Sequence, residues 1–264
     1  MSAITKATRA IDGATAPQVK SGMTATAQPR RRIDLAAERR FYLWMTVAIV
    51  VTVLIGFSRS FFLRPLFPNL SSPREPFYLV HGTVFTLWFV TLIAQVALIR
   101  AGRVRLHRAL GMCGAVLAVA VVALGVAGSL IAAKRPTGFF DVPIPAPQFL
   151  IVPLTEMLNF AAFVGFAVAL RRNVQAHKRL MMLASIIMLN AAFARWPGVV
   201  GAGSIAYFLL NDLFLIPLVI WDRRSLGHVH PATWWGGGWF LLSQPLRLLL
   251  SGTSAWLAVA HWLL

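Results

Sequence analysis

The sequence predicts an all-α fold of the polytopic membrane class, a bundle of about seven transmembrane helices. Three observations carry that reading. Hydrophobic residues make up 58% of the 264 positions and charged residues only 12%, about half the charge of a soluble domain. The stretch from Phe77 to Ile99 contains no Asp, Glu, Lys or Arg, and at ~1.5 Å per residue it is long enough to cross ~30 Å of hydrocarbon. The basic residues behind the formal net charge of +17 fall between apolar runs, the pattern that orients membrane spans. That pattern argues against a nucleic-acid binder. The lone Cys113 lies inside an apolar run and excludes an internal disulfide framework. The lipid bilayer is the one partner the composition names, and no protein partner is legible.

Taken in order, residues 1–40 are a basic tail, rich in Ala, Thr and Ser, that ends in Arg30, Arg31, Arg32, Arg39 and Arg40. An organelle transit peptide shares that composition; a disordered, solvated cytoplasmic tail is the simpler reading. Residues 41–264 form the transmembrane helical domain. Span one is Phe41 to about Phe57, with Tyr42 and Trp44 at headgroup level, and Pro65, Pro68 and Pro73 break the loop after it. Span two is the charge-free stretch. Span three runs from Leu106 to Ala132 and span four from Phe149 to Leu170, with a proline-bearing loop between them. Span five, Leu180 to Trp196, is interrupted by Asn190 and Arg195. Pro197, Gly198, Gly201 and Gly203 turn the chain into span six, Ile205 to Trp221. After a loop with His228, His230 and a Gly236-Gly237-Gly238 hinge comes span seven, Trp239 to Trp262, interrupted by Pro245 and Arg247.

The tail and the turns after spans two, four and six hold eighteen Lys and Arg residues, the opposite side six, with Arg247 left out of both counts. This asymmetry puts the N-terminus in the cytoplasm.

Two cytoplasmic turns resemble each other: ALIRAGRVRLHRALGM (97–112) and ALRRNVQAHKRLMM (169–182). Each ends a span with Ala-Leu-x-Arg and opens the next with His, a basic residue, any residue and Leu. The two hairpins share one orientation, which suggests a pseudo-two-fold along the membrane normal with His107 and His177 at equal depth. A haem iron held by two imidazoles needs that arrangement. The pair is therefore a candidate site for one haem b, with Arg105, Arg108, Arg172 and Arg179 available to its propionates. The bland alternative makes both histidines interface residues, with the arginines binding lipid phosphate.

The outer half holds His81 in span two, Glu156 and Asn159 in span four, Asn190 and Arg195 in span five, and Asn211 and Asp212 in span six. Ionisable residues at that depth should face the bundle and find partners. Glu156 and Arg195 are the first opposite charges to pair. The group serves either as polar glue between helices or as a ligand or proton site. The histidines of HVHP (228–231) lack nearby co-ligands and read as loop, and Trp234, Trp235 and Trp239 read as an interfacial belt. Phosphate loops, zinc-type cysteines and nucleophile elbows are absent from the sequence.

Three segments, LVHGTVFTLW, LHRALG and AHKRLMMLASIIMLNAAFARW, lie within Phe77–Trp221. Together they resemble a family of uncharacterised bacterial multi-pass membrane proteins, which implies a location in the bacterial inner membrane and little chemistry. The His-bearing hairpins are distantly similar to transmembrane b-type cytochromes, which stack two haems between four histidines. This chain departs from that pattern: its outer half offers only His81, and span four offers Glu156 and no histidine. Three functions compete. They are an electron carrier with one haem b on the cytoplasmic side, a transporter or small-ligand carrier using Glu156, Asp212 and Arg195, and a non-catalytic assembly protein.

Overall fold

A computed structural model describes residues 34–70, 76–139 and 142–264. The described residues form helices and turns without a strand. Five helical stretches are long and apolar enough to cross a membrane: Leu35–Phe62, Pro76–Arg100, Val104–Ala133, Ala146–Ala169 and Ser204–Leu226. Most of the expected tail (1–33), together with Pro73 and Arg74, lies outside the described residues.

Helix α1 is Leu35–Phe57, starting ahead of the expected Phe41 because Asp34 caps it. The Asp34 carboxylate accepts from the backbone N–H groups of Ala36 (2.8 Å) and Ala37 (3.2 Å), two of the donors that a helix start leaves unpaired. A π-helical turn, Ser58–Phe62, and a 3-10 turn, Arg64–Leu66, carry the chain onward. Helices α2 (Pro76–Arg100) and α3 (Val104–Ala133) form a hairpin whose turn uses Gly102 at φ 71°, a conformation that other residues adopt only with strain. A short α4 (Ala146–Phe149) leads into α5 (Ile151–Ala169), and α6 (Val174–Ile187) returns along it. The Asn173 side chain caps α6 by accepting from Ala176 N–H at 3.1 Å.

Three breaks divide the rest. Between Ile187 and α7 (Asn190–Phe193) a tight turn, with Leu189 N–H donating to Ile186 C=O at 2.9 Å, keeps the path nearly helical. Between α8 (Ser204–Asp212) and α9 (Leu215–Leu226), Phe214 N–H donates to Asn211 C=O at 3.1 Å in the same way. Helix α10 (Pro231–Ser251) ends at Gly252, and α11 (Ser254–Leu263) folds back on α4. Two sequence expectations change here. Gly236, Gly237 and Gly238 are no hinge, and Pro245 does not interrupt the span; all four lie inside α10. Gly236 sits against α6, where an added Cβ would come within 2.6 Å of Leu183 Cδ1. The glycine permits close packing and does not act as a break.

The core joins the α2–α3 hairpin to the α5–α6 hairpin through α3 and α5. Helix α1 lies across α2 and α7, and α10 against α6 and α5. Ile49, Val121, Phe160, Leu183 and Phe240 are fully buried along these contacts. At the α1–α7 crossing the Trp196 indole donates to Thr52 C=O at 3.0 Å. A Cβ on Gly56 would fall on the Ala192 backbone, 2.8 Å from its carbonyl carbon. Gly56→Ala therefore forces α1 and α7 apart and should lower the thermal midpoint in detergent, at a cost of roughly 1–3 kcal/mol. Gly165 is exposed with nothing within 4 Å of an added Cβ, so Gly165→Ala should leave the midpoint unchanged or raise it. Equal effects at both positions would contradict the packing.

Candidate functional site

The two expected histidines meet. His107 and His177 each occupy the same position in their helices, donating backbone N–H to the capping residue's carbonyl, Arg103 (3.0 Å) and Asn173 (2.9 Å). Their ring centres are 6.4 Å apart with the planes at 88°. His177 Nδ1 lies 2.8 Å from Ala167 C=O. A carbonyl only accepts, so Nδ1 carries a proton, and in the neutral ring Nε2 is then the nitrogen with the lone pair. The His107 ring faces the Gln95 backbone carbonyl, while its buried Nδ1 and the Gln95 Oε1 make no well-aligned hydrogen bond among the described residues. Arg105, Arg108 and Arg172 are exposed, and the Arg108 charge acts on His107.

Arg179, expected with them, does something else. Its side chain is 0% exposed and forms an ion pair with Asp222, also 0% exposed. Arg179 Nε donates to Asp222 Oδ1 at 2.8 Å, and Nη1 donates to the backbone carbonyl and Oε1 of Gln175 at 2.9 and 2.5 Å. These bonds leave no free edge for a propionate. Asp222 Oδ2 accepts from His230 N–H at 3.0 Å, and His230 Nδ1 caps α10 by accepting from Ala232 N–H at 3.0 Å. Burial, with the nearby Arg179 charge adding to it, holds the His230 imidazole below its ordinary pKa, which keeps Nδ1 available as an acceptor. A second pair, Lys178 with Glu38, ties α6 to α1, and Gln175 Nε2 donates to the same Glu38 at 3.3 Å.

The other polar group is drawn from four helices. Glu156 (α5, 7% exposed) accepts on Oε1 from Asn190 Nδ2 at 2.8 Å and from Arg247 Nη1 at 3.3 Å. Asn190 Oδ1 accepts from Asn211 Nδ2 at 3.0 Å. The expected Glu156–Arg195 pair does not form. Arg195 donates to Ala191 C=O at 2.7 Å, its guanidinium lies 5.0 Å from the Phe57 ring centre, and it makes no ion pair among the described residues. Beside this group, Gln244 donates to Asp212 at 2.7 Å. Asn159 bonds Ser243 at 3.2 Å and Trp239 at 2.9 Å. His81 stands apart, stacked on Phe85 at 4.1 Å with Nδ1 3.2 Å from Leu124 C=O.

Sequence reasoning missed Arg247 and Asp222. Arg247 is a charge inside an apolar segment, which was the available signal, whereas Asp222 stands at the end of its span beside Arg223 and Arg224. Among the described residues no three His, Cys, Asp or Glu side chains form a group that could hold a metal ion. No family model, curated protein or solved structure matches the chain.

Breaking a buried ion pair from one side leaves the other charge uncompensated, at ~3–5 kcal/mol. Glu156→Gln and Arg247→Gln should each lower the thermal midpoint in detergent, and the double variant should cost clearly less than their sum. Glu156→Gln combined with Arg195→Gln should be additive. The reverse pattern would restore Arg195 as the partner.

Proposed function

We propose that this chain is an integral protein of the bacterial inner membrane with seven crossing segments. In this reading the N-terminus is cytoplasmic, and one haem b lies between His107 and His177 on the cytoplasmic side for electron transfer. The observation that carries the haem reading is the approach of the two imidazoles, 6.4 Å between centres. Each ring would give the iron one imidazole nitrogen. The donor set favours haem over a bare metal ion. Two imidazoles alone do not complete a metal site, whereas a porphyrin brings four nitrogens of its own. The Ala167 carbonyl on His177 Nδ1 is the kind of outer bond that would orient a ligating ring.

Bound haem would supply a one-electron couple. His107 and His177 would hold the iron, and Arg105 and Arg108, which make no ion pair among the described residues, would pair with the propionates. Arg179 stays with Asp222 and fixes the start of α6, on which His177 rides.

Seven crossings are supported by two segments beyond the five apolar stretches. The path from Val174 to Phe193 and helix α10 are each about 30 Å long at 1.5 Å per residue. Their polar residues, Asn190 and Arg247, face partners within the bundle. In a Cys113→Ser background, Thr137→Cys should react with an impermeant thiol reagent in intact cells and Arg103→Cys should not. The opposite result would invert the topology.

Protein purified in mild detergent after expression with ample haem should carry a Soret band. His107→Ala and His177→Ala should each abolish the low-spin spectrum, and His81→Ala should retain it. A colourless wild type, or loss of haem on His81→Ala alone, would overturn the assignment.

A further inference from the structure

Arg247 is 2% exposed, yet only part of its guanidinium is used. Nη1 donates to Glu156 at 3.3 Å and to Val152 C=O at 3.4 Å, while Nε and Nη2 donate to no group among the described residues. Those two N–H groups form one edge of the planar fork, and their parallel directions match the two oxygens of a carboxylate. One flat face is covered by Phe208, whose ring centre is 4.3 Å from the guanidinium carbon, and the unused Nε and Nη2 edge is itself sealed from solvent in the ligand-free protein.

The surroundings select among anions. Ile151, Val152 and Phe208 form an apolar cluster joined by Phe149, Leu248 and Trp256. Such walls suit an organic acid with a short apolar tail and penalise a strongly hydrated inorganic ion. Trp256 comes from α11, which packs on α4 where the Trp256 indole donates to Pro147 C=O at 2.9 Å and which joins α10 through Gly252 and Thr253.

Charge decides the stoichiometry. Facing Arg247 are Glu156 from α5 and, beyond it, the half-buried Asp212 from α8, which Gln244 of α10 already binds. The neighbour from α7, Asn190, is neutral, and α11 contributes the indole of Trp256. A further anion would leave an uncompensated negative charge in a buried site. Glu156, the buried carboxylate that shares the guanidinium, is the group that can accept a balancing proton.

We propose that the Nε/Nη2 edge of Arg247 is a recognition site for a small organic acid, bound as its carboxylate with one proton taken up on Glu156. The site is independent of the haem reading, and a colourless protein leaves it untouched. It gives the carrier alternative a substrate class and a coupled ion. In binding, the acid's carboxylate makes two N–H···O bonds to Arg247, and the proton enters with the ligand or from solution, so the net charge of the site is unchanged.

The test uses the full chain in detergent, with sodium acetate and sodium propionate against sodium chloride at equal ionic strength. In acidic buffer, near-saturating carboxylate should raise the thermal midpoint by about 2–4 °C, and chloride should not. Uptake of one proton makes the apparent affinity fall about tenfold per pH unit once Glu156 is ionised in the free protein. Arg247→Lys keeps the charge without the planar fork and should lose the carboxylate shift. Glu156→Gln mimics the protonated acid and should bind acetate with the pH dependence removed, which a purely structural role would not produce. If Arg247→Lys fails to fold, the Glu156→Gln profile decides. No carboxylate-specific shift in the wild type, an equal shift in chloride, or unchanged pH dependence in Glu156→Gln would each overturn the proposal.

Discussion

The bundle depends on one constraint: a carboxylate placed among apolar helices must be met there by donors. Glu156 is met twice on a single oxygen, by Asn190 and by Arg247. Satisfying it draws α5, α7 and α10 to one point, and the Asn190–Asn211 bond adds α8. Apolar packing alone would let these helices slide or rotate, because lipid is as good a partner for a leucine as another helix is. The polar contacts set the register. The helix breaks follow from the same demand: the tight turns before Asn190 and after Asp212 adjust the path beside the residues that join the network.

The opposite end of the bundle repeats the device with different residues. Arg179 and Asp222 are both sealed from solvent. Asp222 uses its second oxygen to hold the His230 backbone, so one pair fixes the start of α6, the end of α9 and the entry to α10. Since α6 carries His177, that lock also determines where one imidazole of the histidine pair stands. The two ends therefore have different characters. The basic end holds a satisfied ion pair and two imidazoles. The other end holds a cation with one unused edge beside an apolar cluster.

Much of this was legible in the sequence. The charge-free run from Phe77 to Ile99 and the basic turns are strong signals, since insertion into lipid punishes exceptions heavily. Two short matching turns put His107 and His177 four residues after the start of their helices, although Asn173 caps its helix with a side chain and Arg103 does not. The partner of Glu156 was legible only as a requirement. Arg195 was the nearer cation in sequence, but a helix holding a carboxylate accepts a partner from any neighbour that faces it, and facing is a tertiary property. Arg247 looked like a fault in the last span because its neutralising contact lies ninety residues away. Asp222 sat at the end of a span among arginines, where an acid ordinarily reads as surface. Gly236 to Gly238 read as a hinge because glycine loosens isolated helices; at Gly236 the missing side chain allows close packing against Leu183 instead.

The most direct measurement of the central claim is the protonation state of Glu156 in the ligand-free protein, from isotope-edited infrared spectra with Glu156→Gln used to assign the band. An ionised carboxylate is expected in the wild type near neutral pH, and a protonated carboxyl once Arg247→Gln removes the cation. A protonated Glu156 in the wild type, or an ionised one that is indifferent to Arg247→Gln, would contradict that claim.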